Sequence, residues 1–475
     1  MSEDQNREQE RREARRKRRV RNQILSYTVV GVLLVGLIAG GVYTGKILWD
    51  KQKKKQQQEE IIAQIQEEMD ASEEEIILTE PETEPVELEP TPEEKMDEIV
   101  NAAIEVMPLE DKVAGLFLVT PESITGVNTA VKAGDGTKKA LETYAVGGIV
   151  YFSKNIQNEE QLTEMINNTT MWSKYPLFIG VDEEGGSVSR VGGSSIEVEK
   201  VASAAELGAT GDANQAYGAG STIAGYLSRL GFNLDFAPVA DVAIGENKVL
   251  KDRTYGSDPS LVGSFAVNMV NGLQDQGVSA CMKHFPGLGG TTQDTHDGMV
   301  TTERTKEDFQ TVDFPVYQQG IAAGVDFIMV SHLCVPSISG ENIPSSLSPT
   351  VVTDVLRTEL GYDGIVISDA MNMTAITDYY AADQAAVLAL RAGCDMILMP
   401  EDFELAYQGI LNAVQEGTIA EERIDDALRR IYRVKLRDTI AAQIGETQDS
   451  DIQNSEMQDS EVQDSESQSS EMPNS

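Results

Sequence analysis

Two of the three histidines in the chain lie in one stretch, KHFPGLGGTTQDTHDGMV, which runs from residue 283 to residue 300. Within it, His296 follows Asp294 by two positions. An aspartate so placed can hold one imidazole nitrogen and make the other a stronger base, as general acid–base catalysis requires. The same pattern is also typical of a polar surface turn. Three glycines shortly before it, at positions 287, 289 and 290, predict a loop rather than a helix.

Ionisable side chains also end several apolar runs of the sequence. One such residue after a strand is most often a turn or helix cap. If the strands are parallel and form a barrel, their carboxyl ends meet at one rim and the side chains converge there. Such a convergence predicts a polar site that binds a hydroxyl-rich ligand and carries out acid–base or nucleophilic chemistry. The residues concerned are Asp182, Asp241, Lys283 with His284, His332 and Asp369.

Asp369 ends the apolar run GIVISD, where a carboxylate can serve as a nucleophile or as a metal ligand. The sequence contains no HxH, HExxH or paired Cys/His spacing, so we expect neither a metal nor another cofactor. The three cysteines, Cys281, Cys334 and Cys394, each lie beside a predicted strand. We expect them to be small core residues rather than disulfide partners.

The elements that would position these residues alternate along the chain. Eight short, almost wholly apolar runs are typical of parallel strands buried on both faces. Helical patterns separate most of them, for instance over 159–172, 214–230, 260–276, 313–323 and 350–360. This alternation predicts an α/β fold, a (β/α)8 TIM barrel, with a doubly wound open sheet as the alternative. The predicted strands span 115–119, 147–152, 177–182, 233–241, 280–285, 326–332, 364–369 and 395–400.

The ends of the chain have a different composition. The formal net charge is −40, and residues 56–94 and 446–475 contain acidic but no basic side chains. Such segments bury too little apolar surface to fold, so a disordered linker over 49–94 and a disordered tail of acidic pentapeptides over 441–475 are predicted. The folded domain is expected over 95–440. The negative charge also argues against nucleic acid as a partner.

The N-terminal region predicts a membrane anchor. A basic arm over residues 1–23 precedes an uncharged apolar run from Ile24 to Tyr43, long enough to cross a bilayer as a helix within 24–48. Basic residues before the run outnumber those after it, so the N-terminus is expected in the cytoplasm and the catalytic domain outside the cell. A cleaved signal peptide and a buried soluble helix are the alternatives.

The folded part resembles the β-N-acetylhexosaminidase branch of glycoside hydrolase family 3, over nearly all of its length from Lys95 to Leu436. Eight motifs in the order found in the family carry the resemblance. They are LEDKVAGLFLV (109–119), GGIVYFSKNI (147–156), FIGVDEEGGSVSR (178–190), GFNLDFAPVADV (231–242), DRTYGSDP (252–259), KHFPGLG (283–289), DTH (294–296) and GYDGIVISDAMNM (361–373).

This resemblance implies a role for each matching residue. Asp369 would be the nucleophile that forms a covalent glycosyl-enzyme, and His296 the acid/base with Asp294 as its partner. The residues that would bind the terminal sugar are Asp182, Arg190, Arg253, Lys283 and His284.

The resemblance predicts a retaining exo-β-N-acetylhexosaminidase that acts on terminal β-linked N-acetylglucosamine, in muropeptides or chito-oligosaccharides. Three positions depart from the family pattern, namely Leu288 for histidine, Ser187 for arginine and Ala370 for aspartate. They leave the leaving-group side of the substrate open. Because a histidine acid/base does not repel an anionic acceptor as a carboxylate would, phosphorolysis stays a second possible activity. The alternatives are a β-glucosidase or xylosidase of the same family, and a non-catalytic carbohydrate-binding protein at the cell surface.

Overall fold

The computed structural model describes residues 91–245, 250–293 and 297–440. The predicted basic arm, membrane span, most of the linker and the acidic tail lie outside these ranges. Within them, no helix is both long enough and apolar enough to cross a bilayer. The first helix begins at Pro92, ahead of the domain start predicted at Lys95, because Thr91 and Glu94 form a reciprocal capping box.

Ten strands lie in the described part of the chain, and eight of them form one parallel sheet. Each of the eight predicted apolar runs overlaps one of these eight strands. The strands are β1 Phe117–Val119, β2 Gly148–Val150, β3 Phe178–Val181, β4 Glu183–Gly185, β5 Val188–Ser189, β6 Leu234–Asp235, β7 Ser279–Phe285, β8 Phe327–Val330, β9 Ile365–Ser368 and β10 Ile397–Leu398.

The parallel sheet curls into a near-closed barrel of the TIM type. Its order is β10-β1-β2-β3-β6-β7-β8-β9, and β4 and β5 pair separately as an antiparallel hairpin. The two edge strands approach each other, since Ile367 and Met396 form a parallel bridge and the Ser368 N–H donates to Met396 O at 3.1 Å. This contact favours the predicted barrel over the doubly wound open sheet, whose edge strands would lie far apart.

The fourth barrel strand is shorter than predicted. The apolar run over 233–241 pairs as a strand only at β6, because Pro238 has no N–H to donate to a neighbouring strand. Parallel pairing resumes beyond the proline, where Val239 bridges to Lys283 of β7. The run therefore still delivers Asp241 to the carboxyl edge of the barrel.

Helices cover the outside of the barrel and bury their apolar faces against it. The predicted helices over 159–172 and 214–230 have the bounds expected from the sequence. The expected α-helix over 350–360 is a π-helix, Thr350–Glu359. The α-helices are α1 Pro92–Glu105, α2 Leu109–Ala114, α3 Pro121–Thr125, α4 Asp135–Thr143, α5 Glu159–Trp172, α6 Ala204–Ala209, α7 Asn214–Leu230, α8 Pro259–Gln274, α9 Lys306–Val312, α10 Phe314–Ala322, α11 Pro336–Ser339, α12 Thr374–Thr377, α13 Ala382–Ala392, α14 Phe403–Gln415 and α15 over 421–440.

Candidate active site

A cavity of about 350 Å³ opens at the carboxyl ends of the barrel strands. The family resemblance gives a role to eight residues. Six of these lie in the described part of the chain, and all six line this cavity. They are Asp182, Arg190, Arg253, Lys283, His284 and Asp369. The other two, Asp294 and His296, lie outside the described residues, so their predicted acid–base role stays a prediction.

Two carboxylates and two cations form a connected ion-pair network in the cavity. The Lys283 ammonium lies 2.8 Å from Asp182 Oδ1 and 2.7 Å from Glu184 Oε1. Arg253 binds the same Glu184 through two parallel hydrogen bonds, from Nε and Nη2, each of 2.8 Å. Arg190 is held less closely, with Nη2 3.6 Å from Asp182 Oδ2. Because bidentate and charge-assisted bonds fix geometry, the network presents its polar atoms in a defined arrangement.

The network also sets the charge state of the cavity. Burial by itself would raise the pKa of Asp182, but Lys283 and Arg190 outweigh burial and hold that pKa below its usual range. The pKa of Glu184 is likewise lowered, since Lys283 and Arg253 outweigh the effect of burial. The Lys283 pKa is raised, because the two carboxylates outweigh desolvation of the ammonium. All three groups are therefore charged at neutral pH.

His284 is oriented from behind by Asp241. Its Nδ1 lies 2.8 Å from Asp241 Oδ2, while Asp241 Oδ1 accepts a 2.6 Å hydrogen bond from the backbone N–H of Leu288. One fully buried carboxylate thus connects the end of β7 with the turn that follows it. The Leu288 side chain is buried and lines the cavity, so this one of the three departures from the family pattern places an apolar group in the ligand space.

Asp369 lies directly after β9, at the edge of the cavity. Its backbone N–H donates to Val330 O at 2.9 Å, and its Oδ1 accepts a 2.8 Å bond from the Ala370 N–H. His332 lies beneath this segment rather than among the lining residues. Its Nε2 is 3.0 Å from Ala370 O and its Nδ1 is 2.8 Å from Ser346 Oγ. Since a carbonyl only accepts, Nε2 carries a proton and donates it to Ala370 O.

Glu184 is the main site residue that the sequence analysis missed. It lies two residues after Asp182, and alternate residues of an extended segment face the same side, so the spacing itself was a usable signal. The apolar lining was missed as well, because packing around a cavity leaves no local pattern. It includes Phe152, Val188 and Met329.

The cysteine prediction is confirmed. Cys281, Cys334 and Cys394 are buried and form no disulfide. Burial raises the pKa of each thiol, to about 11 in Cys334. Across residues 91–245, 250–293 and 297–440, no group of three or more His, Cys, Asp or Glu side chains is arranged to hold a metal ion.

A parallel barrel with carboxylates and cations at its carboxyl rim defines a class of enzymes that act on polar, hydroxyl-rich ligands. Residues 108–434 match the glycosyl hydrolase family 3 N-terminal domain, and the chain belongs to that family. The predicted resemblance is therefore confirmed, and the protein is a glycoside hydrolase of family 3.

Individual relatives are similar over most of the described barrel. The beta-hexosaminidase of Stenotrophomonas maltophilia (strain K279a) is 33% identical over 263 residues, which are 54% of this chain and 77% of that protein. Beta-hexosaminidase A of Pseudoalteromonas piscicida is 28% identical over 62% of this chain, which spans only about half (54%) of that relative's length. The solved structure of a family 3 beta-N-acetylglucosaminidase from Paenibacillus sp. str. FPU-7 is 34% identical and superposes with a TM-score of 0.67, over 71% of this chain and 64% of that one.

Proposed function

We propose that this protein is a retaining exo-β-N-acetylhexosaminidase that hydrolyses terminal β-linked N-acetylglucosamine. The observation that carries the proposal is that Asp369 shares one cavity with the network of Asp182, Glu184, Lys283 and Arg253. A carboxylate beside fixed donors and acceptors can bind a sugar and attack its anomeric carbon. The names of the relatives, beta-hexosaminidase and beta-N-acetylglucosaminidase, support the choice of sugar.

The proposed reaction has two steps. In the first, Asp369 attacks the anomeric carbon while His296 gives a proton to the glycosidic oxygen, so the bond to the leaving group breaks and a glycosyl-enzyme ester forms. In the second, water attacks the same carbon, its proton passes to His296, and the Asp369 carboxylate is released. Asp294 would hold the imidazole in its working orientation. No metal or other cofactor takes part in either step.

Sugar binding would fall to the charged network. Ionised Asp182 and Glu184 accept hydrogen bonds from hydroxyl groups, whereas Lys283, Arg253 and Arg190 donate to hydroxyl or acetamido oxygens. Since these groups already hold one another in place, little ordering is needed when the ligand enters. The His284 ring, held by Asp241 at 2.8 Å, would complete the contacts.

The natural substrates that fit this proposal are muropeptides and chito-oligosaccharides. A membrane anchor within residues 24–48, with the catalytic domain outside the cell, would place the enzyme beside cell-wall glycans. A β-glucosidase is the second candidate, because a relative from Cellulomonas fimi that is 29% identical bears the name beta-N-acetylglucosaminidase/beta-glucosidase.

Hydrolysis of two matched substrates separates these candidates. The purified protein is given an aryl β-N-acetylglucosaminide and the corresponding aryl β-glucoside, and kcat/KM is measured for each. The proposal predicts a clear preference for the acetamido sugar. A preference for the glucoside would favour the second candidate. If Asp369→Ala keeps both activities, Asp369 is not the nucleophile.

A further inference from the structure

Glu183 lies between two residues of the cavity but turns its side chain away from it. Both Asp182 and Glu184 line the cavity, whereas the Glu183 carboxylate is fully buried on the other side of the segment. Its backbone N–H donates to Asp235 Oδ1 at 2.9 Å, which fixes the main chain at this point. A buried carboxylate is costly unless its oxygens accept several hydrogen bonds.

Four donors meet the Glu183 carboxylate. Oε2 accepts from the Val191 N–H at 2.7 Å, and Oε1 accepts from the Gly192 N–H at 2.8 Å and from the Tyr226 hydroxyl at 2.8 Å. The Ser189 hydroxyl also donates to Oε1. The Tyr226 pKa is raised, first by burial and then by the neighbouring Glu183 charge, so its hydroxyl stays protonated and donates.

Three of the four donors come from the turn that carries Arg190. Ser189 precedes Arg190, and Val191 and Gly192 follow it. The Glu183 carboxylate therefore binds the turn on both sides of Arg190, whose own side chain does not contact it. The fit leaves no space for a side chain at 192, where a Cβ would lie 2.8 Å from Glu183 Oε1 and 2.6 Å from Ser189 Oγ.

The Arg190 side chain itself has only loose contacts with its neighbours. Its Nη2 is 3.6 Å from Asp182 Oδ2, and its guanidinium carbon lies 5.9 Å from the centroid of the Phe152 ring. The backbone N–H of Arg190 donates to Asp182 O at 3.3 Å. The guanidinium is therefore held mainly through the backbone of the turn, and three residues of that turn donate hydrogen bonds to Glu183.

We propose that Glu183 is a positioning residue that fixes the Ser189–Gly192 turn and thereby aims Arg190 at the substrate. The inference rests on the proposed function, because that function assigns Arg190 to sugar binding. An ionised carboxylate suits this position since every partner is a donor. A glutamine there would point its NH₂ group at an N–H or O–H, and one part of the turn would lose its acceptor.

The test is a double-mutant cycle in the full chain with an aryl β-N-acetylglucosaminide. Arg190→Ala is expected to raise KM about tenfold and to change kcat less. Glu183→Gln is expected to raise KM by a similar factor, and the double variant to add little, because both changes remove the same contact. Tyr226→Phe is the matched control. It removes a donor to the same Glu183 oxygen from α7, outside the turn, and should leave KM within about twofold.

Each outcome decides the inference. If Arg190→Ala raises KM and Glu183→Gln does not, the inference is wrong while the proposed sugar site stands. If Arg190→Ala leaves KM unchanged, the assignment of Arg190 is wrong and the inference falls with it. If Glu183→Gln and Tyr226→Phe raise KM equally, Glu183 has only a general structural role and the inference is wrong. Should Glu183→Gln fail to fold, Ser189→Ala takes its place, and additive effects with Arg190→Ala would contradict the proposal.

Discussion

Lys283 is the residue that keeps two neighbouring carboxylates ionised. Its ammonium lies within 2.8 Å of both Asp182 and Glu184 and lowers the pKa of each against the effect of burial. Without that cation the two carboxylates would repel each other in a buried site, and their pKa values would rise. As the pH falls, the ionised form of the two carboxylates, which binds the sugar, would then be lost at a higher pH than in the unaltered protein.

A Lys283→Met variant tests this dependence. Because the carboxylates would take up protons at higher pH, the acid limb of the kcat/KM profile should move up by about one pH unit or more, in addition to weaker binding. Lys112→Met is the matched control, since Lys112 is also buried and paired with two carboxylates, Glu421 and Asp425, away from the cavity. Acid limbs that superimpose in Lys283→Met and the unaltered protein would contradict the role given to Lys283.

Part of the site could be predicted residue by residue. Asp182, Lys283, His284 and Asp369 follow apolar runs, and the barrel brings strand ends together, so their convergence followed from spacing alone. Arg190 lies in the turn after β5, and Arg253 ends a short 3-10 helix, Lys251–Arg253. Neither setting has a periodic sequence signal, so only the family resemblance pointed to these two residues. The contacts of Glu183 form only when the Ser189–Gly192 turn folds back onto it, and the local sequence does not encode that contact.

At the scale of elements, the glycine-rich turn after β7 is packed closely against its surroundings. The glycines at 287, 289 and 290 predict a loop rather than a helix. In the structure a Cβ at Gly289 would lie 1.7 Å from Val242 O, and one at Gly290 would lie 2.8 Å from Arg304 Cδ. The Gly289 carbonyl also accepts from the Ile244 N–H at 3.0 Å. These glycines allow close approach of the backbone, which accounts for their presence without any need for flexibility.

Gly289→Ala should therefore destabilise the fold. The added methyl group meets a backbone oxygen that cannot move aside cheaply, so we expect the free energy of unfolding to fall by about 2 kcal/mol. Gly218→Ala is the control, since a Cβ there meets nothing within 4 Å and alanine favours the helix α7. Urea denaturation monitored by circular dichroism measures both. Equal stability of Gly289→Ala and the unaltered protein would contradict the packing interpretation.

The elements themselves were largely predictable, because buried parallel strands and amphipathic helices have strong periodic signatures. The bounds of α5 and α7 agree with their patterns. The shortening of β6 by Pro238 and the π-helical hydrogen bonding over Thr350–Glu359 were not predicted. Both depend on how the backbone bonds to neighbours in three dimensions, and hydrophobic spacing carries no information on that.

At the scale of the whole molecule, the described barrel is joined in sequence to an apolar run and to two acidic segments. We propose that residues 24–48 anchor the chain in a membrane with the barrel outside. In cell fractionation the full chain should then sediment with membranes, a chain lacking residues 1–48 should stay in the soluble fraction, and protease added to intact cells should remove the barrel. Recovery of the full chain with a cytosolic marker would contradict the anchor.

In the proposed reaction, Asp369 becomes covalently bonded to the sugar. The most direct test is to incubate the protein with an N-acetylglucosaminyl fluoride that carries a second fluorine at C5, which slows hydrolysis of a glycosyl-enzyme, and to locate the adduct by peptide mass spectrometry. We expect one equivalent of label on the peptide that contains Asp369, and none on the Asp369→Ala variant. Label on another carboxylate, or turnover by Asp369→Ala equal to that of the unaltered protein, would contradict it.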